Sequence, residues 1–174
     1  MRWIGFVRNV MIGRAGLHRE VLLDACRAAG GADPLSYLAT GNLAFTAEDL
    51  QDVLRPLERA ITGVVGRSTP VMVRELPWLV DLIERAPLSA YDDSWQLEIS
   101  FLAHDAAPLG DLPAQVGGTD LIPIGPRELG TARPRDEPRA PHANPLLEKL
   151  SGQRGSARAW STLAQIAERE QARR

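Results

Sequence analysis

The segment from Leu35 to Thr46 leaves the chain little conformational choice. Two short apolar runs, Leu-Ser-Tyr-Leu-Ala from residue 35 and Asn-Leu-Ala-Phe-Thr from residue 42, meet across Thr40-Gly41-Asn42. Only a tight turn fits there, and Gly41 supplies the positive φ that such a turn demands. Strands joined this way pair antiparallel. On the N-terminal side, apolar residues alternate from Arg2 to Ile12 and predict a first strand, broken by Gly13-Arg14-Ala15-Gly16. Leu17, Val21, Leu22, Ala25 and Ala29 then fall on one helical face, which Gly30-Gly31 ends. On the C-terminal side, Thr46 offers an N-cap with Asp49 three residues on. Leu50, Val53, Leu54, Leu57, Ile61 and Val64 follow at helical spacing, and Pro56 inside them predicts a kink or a split. Residues 70–75 read as another strand. The order βαββαβ is that of a ferredoxin-like split βαβ unit, a four-stranded antiparallel sheet with both helices on one face.

From Leu76 the pattern is less regular. Pro77 suits a first helical turn, Leu79, Leu82 and Ile83 form its apolar stripe, and Pro87 ends it. Residues 96–103 alternate as a strand, 104–118 read as loop or weak helix, and 120–125 with 127–132 read as a hairpin. Residues 133–142, with three prolines among charged groups, read as an exposed connector. Asn144-Pro145 opens a short helix through Leu150. A last helix is expected from Arg158, with Trp160, Leu163, Ala164 and Ala167 as its apolar face. The fold class is therefore α+β. A ferredoxin-like half over 1–75 is extended by a second, smaller α+β half over 76–174 with two C-terminal helices, the two expected to form one compact unit.

Composition bounds the function. An apolar fraction of 44% and a charged fraction of 24% describe a folded chain with a real core, not a disordered one. No run of 18 apolar residues exists, so no membrane is expected as a partner. Arg8 interrupts the apolar start, which reads as a strand and not as a secretory signal. The lone Cys26 cannot form an internal disulfide, which points to a cytoplasmic setting, and it lies on a helical face as a small core residue. Only Lys149 among 20 basic residues is a lysine. That bias goes with abundant Ala, Gly and Pro, as in a GC-rich genome, so arginine number alone does not argue for phosphate. Residues 127–174 hold 10 basic and 6 acidic groups, and residues 1–126 hold 10 and 16. The basic C-terminal third, which ends on Arg173 and Arg174, is either an anion-binding face or a solvated surface.

No familiar reaction centre is visible. His18, His104 and His142 are far apart and lack cysteine partners, so no metal is expected. There is no nucleophile-elbow Gly-x-Ser-x-Gly, no Walker loop and no Gly-x-Gly-x-x-Gly, hence no expected cofactor and no reaction class. Asp92-Asp93 sit in a polar turn. The stretch Gly152–Ser156 delivers Arg154, Ser156 and Arg158 to the start of the last helix. Backbone amides there attract anions, and Trp160 and Thr162 follow. The plainer alternative has Ser156 capping, Trp160 filling core and Arg158 pairing with an acid. Arg8 lies in a strand that otherwise looks buried, where a guanidinium needs a partner or a ligand.

Five stretches read in order carry a resemblance: Val-Arg-Asn-Val-Met-Ile-Gly at 7–13, Thr-Gly-Asn at 40–42, Phe101-Leu102, Leu-Leu-Glu-Lys-Leu-Ser-Gly at 146–152, and Ser-Ala-Arg-Ala-Trp-Ser-Thr at 156–162. Together they resemble the DUF1697 family, small bacterial α/β proteins of unknown function. Arg8 and Gly13 match its opening pattern Leu-Arg-Gly-Ile-Asn-Val-Gly, with Asn9 for its Gly and Met11 for its Asn. Gly41 and Asn42 match its Ser-Gly-Asn. Arg158, Trp160 and Thr162 match its Thr-x-Arg-Asn-Trp-x-Thr, with Ser156 for Thr and Ala159 for Asn. The resemblance implies a ferredoxin-like core with a second α+β half and no particular substrate. Met11 and Ala159 remove two polar side chains from motif positions.

These observations nominate Arg8, Gly13, Thr40, Gly41, Asn42, Arg154, Ser156, Arg158, Trp160 and Thr162 as ligand-binding residues of a small-anion or nucleotide-binding module. Two alternatives stand beside it: a single-stranded nucleic-acid binder using sheet aromatics, and a structural or dimerising protein without a ligand. An oligomeric state is not readable.

Overall fold

A computed structural model describes residues 1–173; Arg174 lies outside the described residues. The chain is α+β, with five helices and nine strands among the described residues. It divides into two compact units, Met1–Pro77 and the chain from Trp78 onward.

The first unit holds β1 (Arg2–Val7), α1 (Arg19–Ala28), β2 (Ala32–Tyr37), β3 (Asn42–Thr46), α2 (Leu50–Val65) and β4 (Val71–Glu75). The sheet order is β2-β3-β1-β4 with every neighbour antiparallel. Two interleaved βαβ crossovers produce that order. Gly5 stands opposite Leu43 and Val73, Trp3 opposite Phe45, and Val7 opposite Val71, so these residues share one face. That face packs against Leu22 and Cys26 of α1 and Val53, Leu57 and Ile61 of α2. Each such aliphatic side chain removed from water contributes about 1.5–3 kcal/mol.

Three local expectations need correction. The first strand ends at Val7, not Ile12. Asn9 adopts φ 50°, and the pairing with β4 stops at Val7 opposite Val71. Thr46 does not cap α2, because it is still paired with Arg2 in the sheet. Asp49 caps instead, its carboxylate accepting the Gln51 amide at 2.8 Å. Pro56 does not split the helix, which runs 16 residues without a break. The lost amide donor is outweighed by buried Val53, Leu54, Leu57 and Ile61 on either side of it.

The second unit is entered through α3 (Leu76–Arg85), whose first turn contains the boundary. It continues with β5 (Trp95–Leu102), β6 (Gln115–Val116), β7 (Thr119–Gly125), β8 (Glu128–Pro134), α4 (Ala143–Ser151), β9 (Gly155–Ala159) and α5 (Trp160–Gln171). The sheet order is β6-β7-β8-β5-β9. On one face, Leu102, Leu121 and Leu129 pack against Leu146 and Leu147 of α4. The expected connector begins later than 133, because Arg133 and Pro134 still belong to β8; residues 135–139 are exposed. His142, not Asn144, occupies the capping position of α4. The last helix starts at Trp160, not Arg158, and the five residues before it form β9 on the edge of β5.

Among the described residues, no helix is long and apolar enough to cross a membrane, and no three His, Cys, Asp or Glu side chains are grouped to hold a metal. Cys26 is fully buried, and burial pushes its thiol up to about 11, against a smaller opposing pull from Arg2 and Arg27. A thiolate is the reactive form. At pH about 8, near the pKa of an unperturbed thiol, Cys26 should therefore resist iodoacetamide in the native chain and react once urea unfolds it. Alkylation of the native chain at the unfolded rate would contradict that burial.

Candidate functional site

Where β1 leaves the sheet, the backbone turns away under several ties. The Val7 amide donates to the carbonyl of Gly41 at 2.9 Å and the Arg8 amide to Pro70 at 3.0 Å. The Ile12 amide donates to Ala39 at 2.7 Å and the Gly13 amide to Leu17 at 2.9 Å. Opposite, the Asn42 side-chain amide donates to the Tyr37 carbonyl and to Thr40 Oγ1, both at 3.0 Å. Asn42 is fully buried, so these bonds hold the Thr-Gly-Asn turn from inside. Gly41 adopts φ 69°, and a Cβ there would lie 2.4 Å from Val10 Cγ2. The turn and the loop after β1 thus touch backbone to side chain. Arg8, Gly13, Thr40, Gly41 and Asn42 come together at this one end of the first unit.

The loop also forms one wall of a pocket of about 340 Å³. Asn9, Val10, Met11, Arg14 and Ala15 line it from the loop, and Val65 and Arg67 line it from the end of α2 and the connection beyond. No carboxylate is among the lining residues. Both arginines are exposed, and among the described residues neither pairs with an acid. The Arg67 guanidinium donates to the carbonyl of Asn9, which fixes the position of its charge relative to the loop. Asn9 and Ala15 both hold left-handed backbone, φ 50° and 51°. For alanine that costs about 1 kcal/mol. Arg8 is half-buried beside this pocket and does not line it. Arg14 and Arg67 escaped the sequence reading. Arg14 sits in the Gly-Arg-Ala-Gly stretch, which reads as a strand break, and Arg67 has no motif around it.

Arg158 belongs to the second unit. It lies in β9 opposite Ile99, with Ser156 opposite Phe101. Arg158 is 6% exposed, and its guanidinium donates to Ser156 Oγ at 2.8 Å and to the Ala157 carbonyl at 2.7 Å. Burial pushes its pKa down to about 10. Arg154 is exposed in the turn before β9. Trp160 and Thr162 are half-buried in the first turn of α5. Trp160, with Ser161, lines a second pocket that also holds Tyr91 and Trp95.

The family model for DUF1697, described as a protein of unknown function, matches residues 1–129. The chain belongs to the DUF1697 family. The match covers the first unit and runs into β8, so the C-terminal motif with Arg158, Trp160 and Thr162 lies beyond it. The solved structure of SP0830, a conserved bacterial protein from Streptococcus pneumoniae, is similar in fold, with a TM-score of 0.68 at 15% identity over 96% of each chain. No functionally curated protein matches.

The two departures from the DUF1697 pattern acquire a physical meaning. Met11, which stands for Asn in the resemblance read from sequence, is 44% exposed and lines the arginine pocket. Ala159, which stands for Asn in the resemblance read from sequence, is the capping residue of α5, and no side chain caps that helix. Asn is among the best N-caps and Ala among the poorest. Ala159→Asn should therefore stabilise this DUF1697 chain by about 1 kcal/mol in urea denaturation. An unchanged midpoint would mean that water already serves those amides as well.

One half-buried acid of the second unit titrates abnormally. Glu98 on β5 accepts the amide of Ala143 at the start of α4, with His142 and Arg133 near it. Burial raises its pKa, and the two cationic side chains and the amide offset only part of that rise. Stability from a raised acid is fully present below the unfolded pKa and is lost as pH climbs through the folded one. Glu98→Gln should remove that loss. The variant's stability relative to the parent should rise between pH about 4 and about 7, and parallel curves would show that Glu98 is not strained by burial.

Proposed function

We propose that this chain binds a small phosphate-bearing anion in the pocket between the loop after β1 and the connection after α2. The observation that carries the reading is the pair Arg14 and Arg67. They line one concavity that holds no carboxylate, and neither pairs with an acid. A guanidinium presents its donors in a planar fork that matches phosphate oxygens. Two of them on facing walls clamp a tetrahedral anion that one alone would hold loosely. A volume near 340 Å³ suits a phosphate with a small organic group attached, at the lower end of ligand pockets. Val10, Met11 and Val65 offer apolar contact for that group.

The first-unit residues nominated from sequence have supporting roles in this reading. Gly41, Thr40 and Asn42 brace the loop, Gly13 lets it turn back at φ 92°, and Arg8 anchors its start. Arg154, Ser156, Arg158, Trp160 and Thr162 belong to the second unit and do not line this pocket. Stacking of bases on the first sheet finds less support, because Phe6 and Phe45 are fully buried and Tyr37 is 7% exposed.

Calorimetry and thermal shift with inorganic phosphate, a nucleoside monophosphate and the matching neutral nucleoside test the reading. The two anions should bind saturably, and at 100 times the dissociation constant the gain in stability is about 2.7 kcal/mol. The nucleoside should give far less. Arg14→Ala and Arg67→Gln should each weaken binding about tenfold, and added salt should weaken it further. An undiminished response in the double variant, or none with either anion, sinks the proposal.

A further inference from the structure

The second unit carries a cavity of about 440 Å³ walled by Tyr91, Trp95 and Trp160. Three of the nine aromatic residues in this chain meet there. Tyr91 and Trp95 stand edge to face, centroids 5.2 Å apart with their planes at 66°. The Tyr91 hydroxyl donates to Asp120 Oδ2 at 3.0 Å, which pins the ring from behind. All three rings are half-buried, so each keeps apolar surface that a ligand can cover.

The polar groups around these rings carry both signs. Asp92 and Asp93 line the cavity. One Asp92 oxygen accepts the amide of Ser94 at 2.9 Å and its hydroxyl at 2.5 Å, and these bonds hold the carboxyl below the ordinary range. Arg135 also lines the cavity, its Nε donating to the Asp93 carbonyl at 2.9 Å, and among the described residues no carboxylate pairs with it. The opening residues of α5, uncapped by any side chain, complete the wall. A plain anion would meet two carboxylates. A plain cation would meet a guanidinium and the positive end of a helix. A molecule with both charges satisfies every group present.

We infer that this cavity binds a small zwitterion, an α-amino acid or a betaine. Its ammonium group lies against the aromatic rings and the Asp92-Asp93 turn, and its carboxylate is held by Arg135 and the first amides of α5. Ring faces attract a desolvated ammonium, most strongly those of tryptophan. The half-exposed rings supply the apolar contact that the methyl groups of a betaine or an aliphatic side chain needs.

Two of the four tryptophans line the cavity, so intrinsic fluorescence reports on it. The intact chain is titrated with glycine betaine, with leucine, with choline and with acetate. Saturable quenching or enhancement is expected with betaine or leucine, and about tenfold weaker binding with choline and acetate, each of which lacks one charge. Asp93→Asn and Arg135→Gln should each weaken the zwitterion about tenfold while leaving the melting temperature in place. Arg14→Ala, in the other pocket, should leave the signal unchanged. Absence of any saturable response to both zwitterions overturns the inference. So does choline binding as tightly as betaine and indifferent to Arg135→Gln, which would make the cavity a simple cation site.

Discussion

The approach of Gly41 to Val10 is the constraint on which the first unit's site depends. A Cβ at position 41 would lie 2.4 Å from a Val10 methyl and 3.1 Å from the Val7 Cβ, on backbone already in the left-handed region. Only glycine closes that contact without pushing the loop away from the turn. The contact also sets the Val7 amide on the Gly41 carbonyl, the tie at the last residue of β1. Everything beyond it, including the strained Asn9, the exposed Met11 and Arg14, takes its direction from that point. The pocket lined by the loop is therefore a consequence of the hairpin turn, even though no residue of the turn lines it.

The arginines of the chain divide by what surrounds them. Arg158 is enclosed in a sheet, bonded to its own strand, and its ionised form is disfavoured by the loss of water. Such a group stabilises neighbours that it already touches and has little reach toward a ligand. Arg27 and Arg85 are tied to acids one helical turn away, pairs of small energetic value. Arg14 and Arg67 have neither enclosure nor an acid, and they share one concavity. Overall charge says nothing about this distinction, since the chain carries a net −2. In the basic C-terminal third, Arg158 is buried and Arg135 lines an aromatic cavity, while Arg139, Lys149, Arg154, Arg169 and Arg173 are exposed.

Much of the first unit was legible because its two periods are clean. Leu50, Val53, Leu54, Leu57 and Ile61 repeat at helical spacing and are buried together. The Thr-Gly-Asn connection allows hardly anything but a hairpin. The second unit hid its edge strand. β9 reads Gly-Ser-Ala-Arg-Ala, without one β-branched or aromatic residue, so neither propensity nor alternation marks it. What makes it a strand is the open edge of β5, paired from Leu102–Gly155 to Glu98–Ala159. The same hidden strand moved Arg158 from a helix start onto a buried position of an edge strand. Arg14 and Arg67 were illegible for another reason: more than fifty residues separate them, and neither belongs to a motif. Arg14 is delivered by the turn of the loop and Arg67 by the left-handed Gly66 that ends α2.

Backbone strain by itself would not have selected the first pocket. Five residues other than glycine hold positive φ: Asn9, Ala15, Asp33, Leu38 and Ala86. Asn9 and Asp33 belong to the residue types that tolerate it best. Leu38 lies two residues before Thr40, in the connection of the hairpin, and Ala86 follows α3, where a left-handed residue commonly ends a helix. Ala15 also serves a chain reversal, as the first central residue of the tight turn that the Leu17 amide closes on the Arg14 carbonyl. It sits between Arg14 and Gly16, where an αL residue bends the loop back toward Leu17, whose amide bonds to Arg14 and whose carbonyl takes the Gly13 amide. That bend is what turns Arg14 toward the same concavity as Arg67. Strain at Ala15 is thus coupled to a chain reversal that also positions a charge, whereas the reversals at Leu38 and Ala86 place no residue in the pocket.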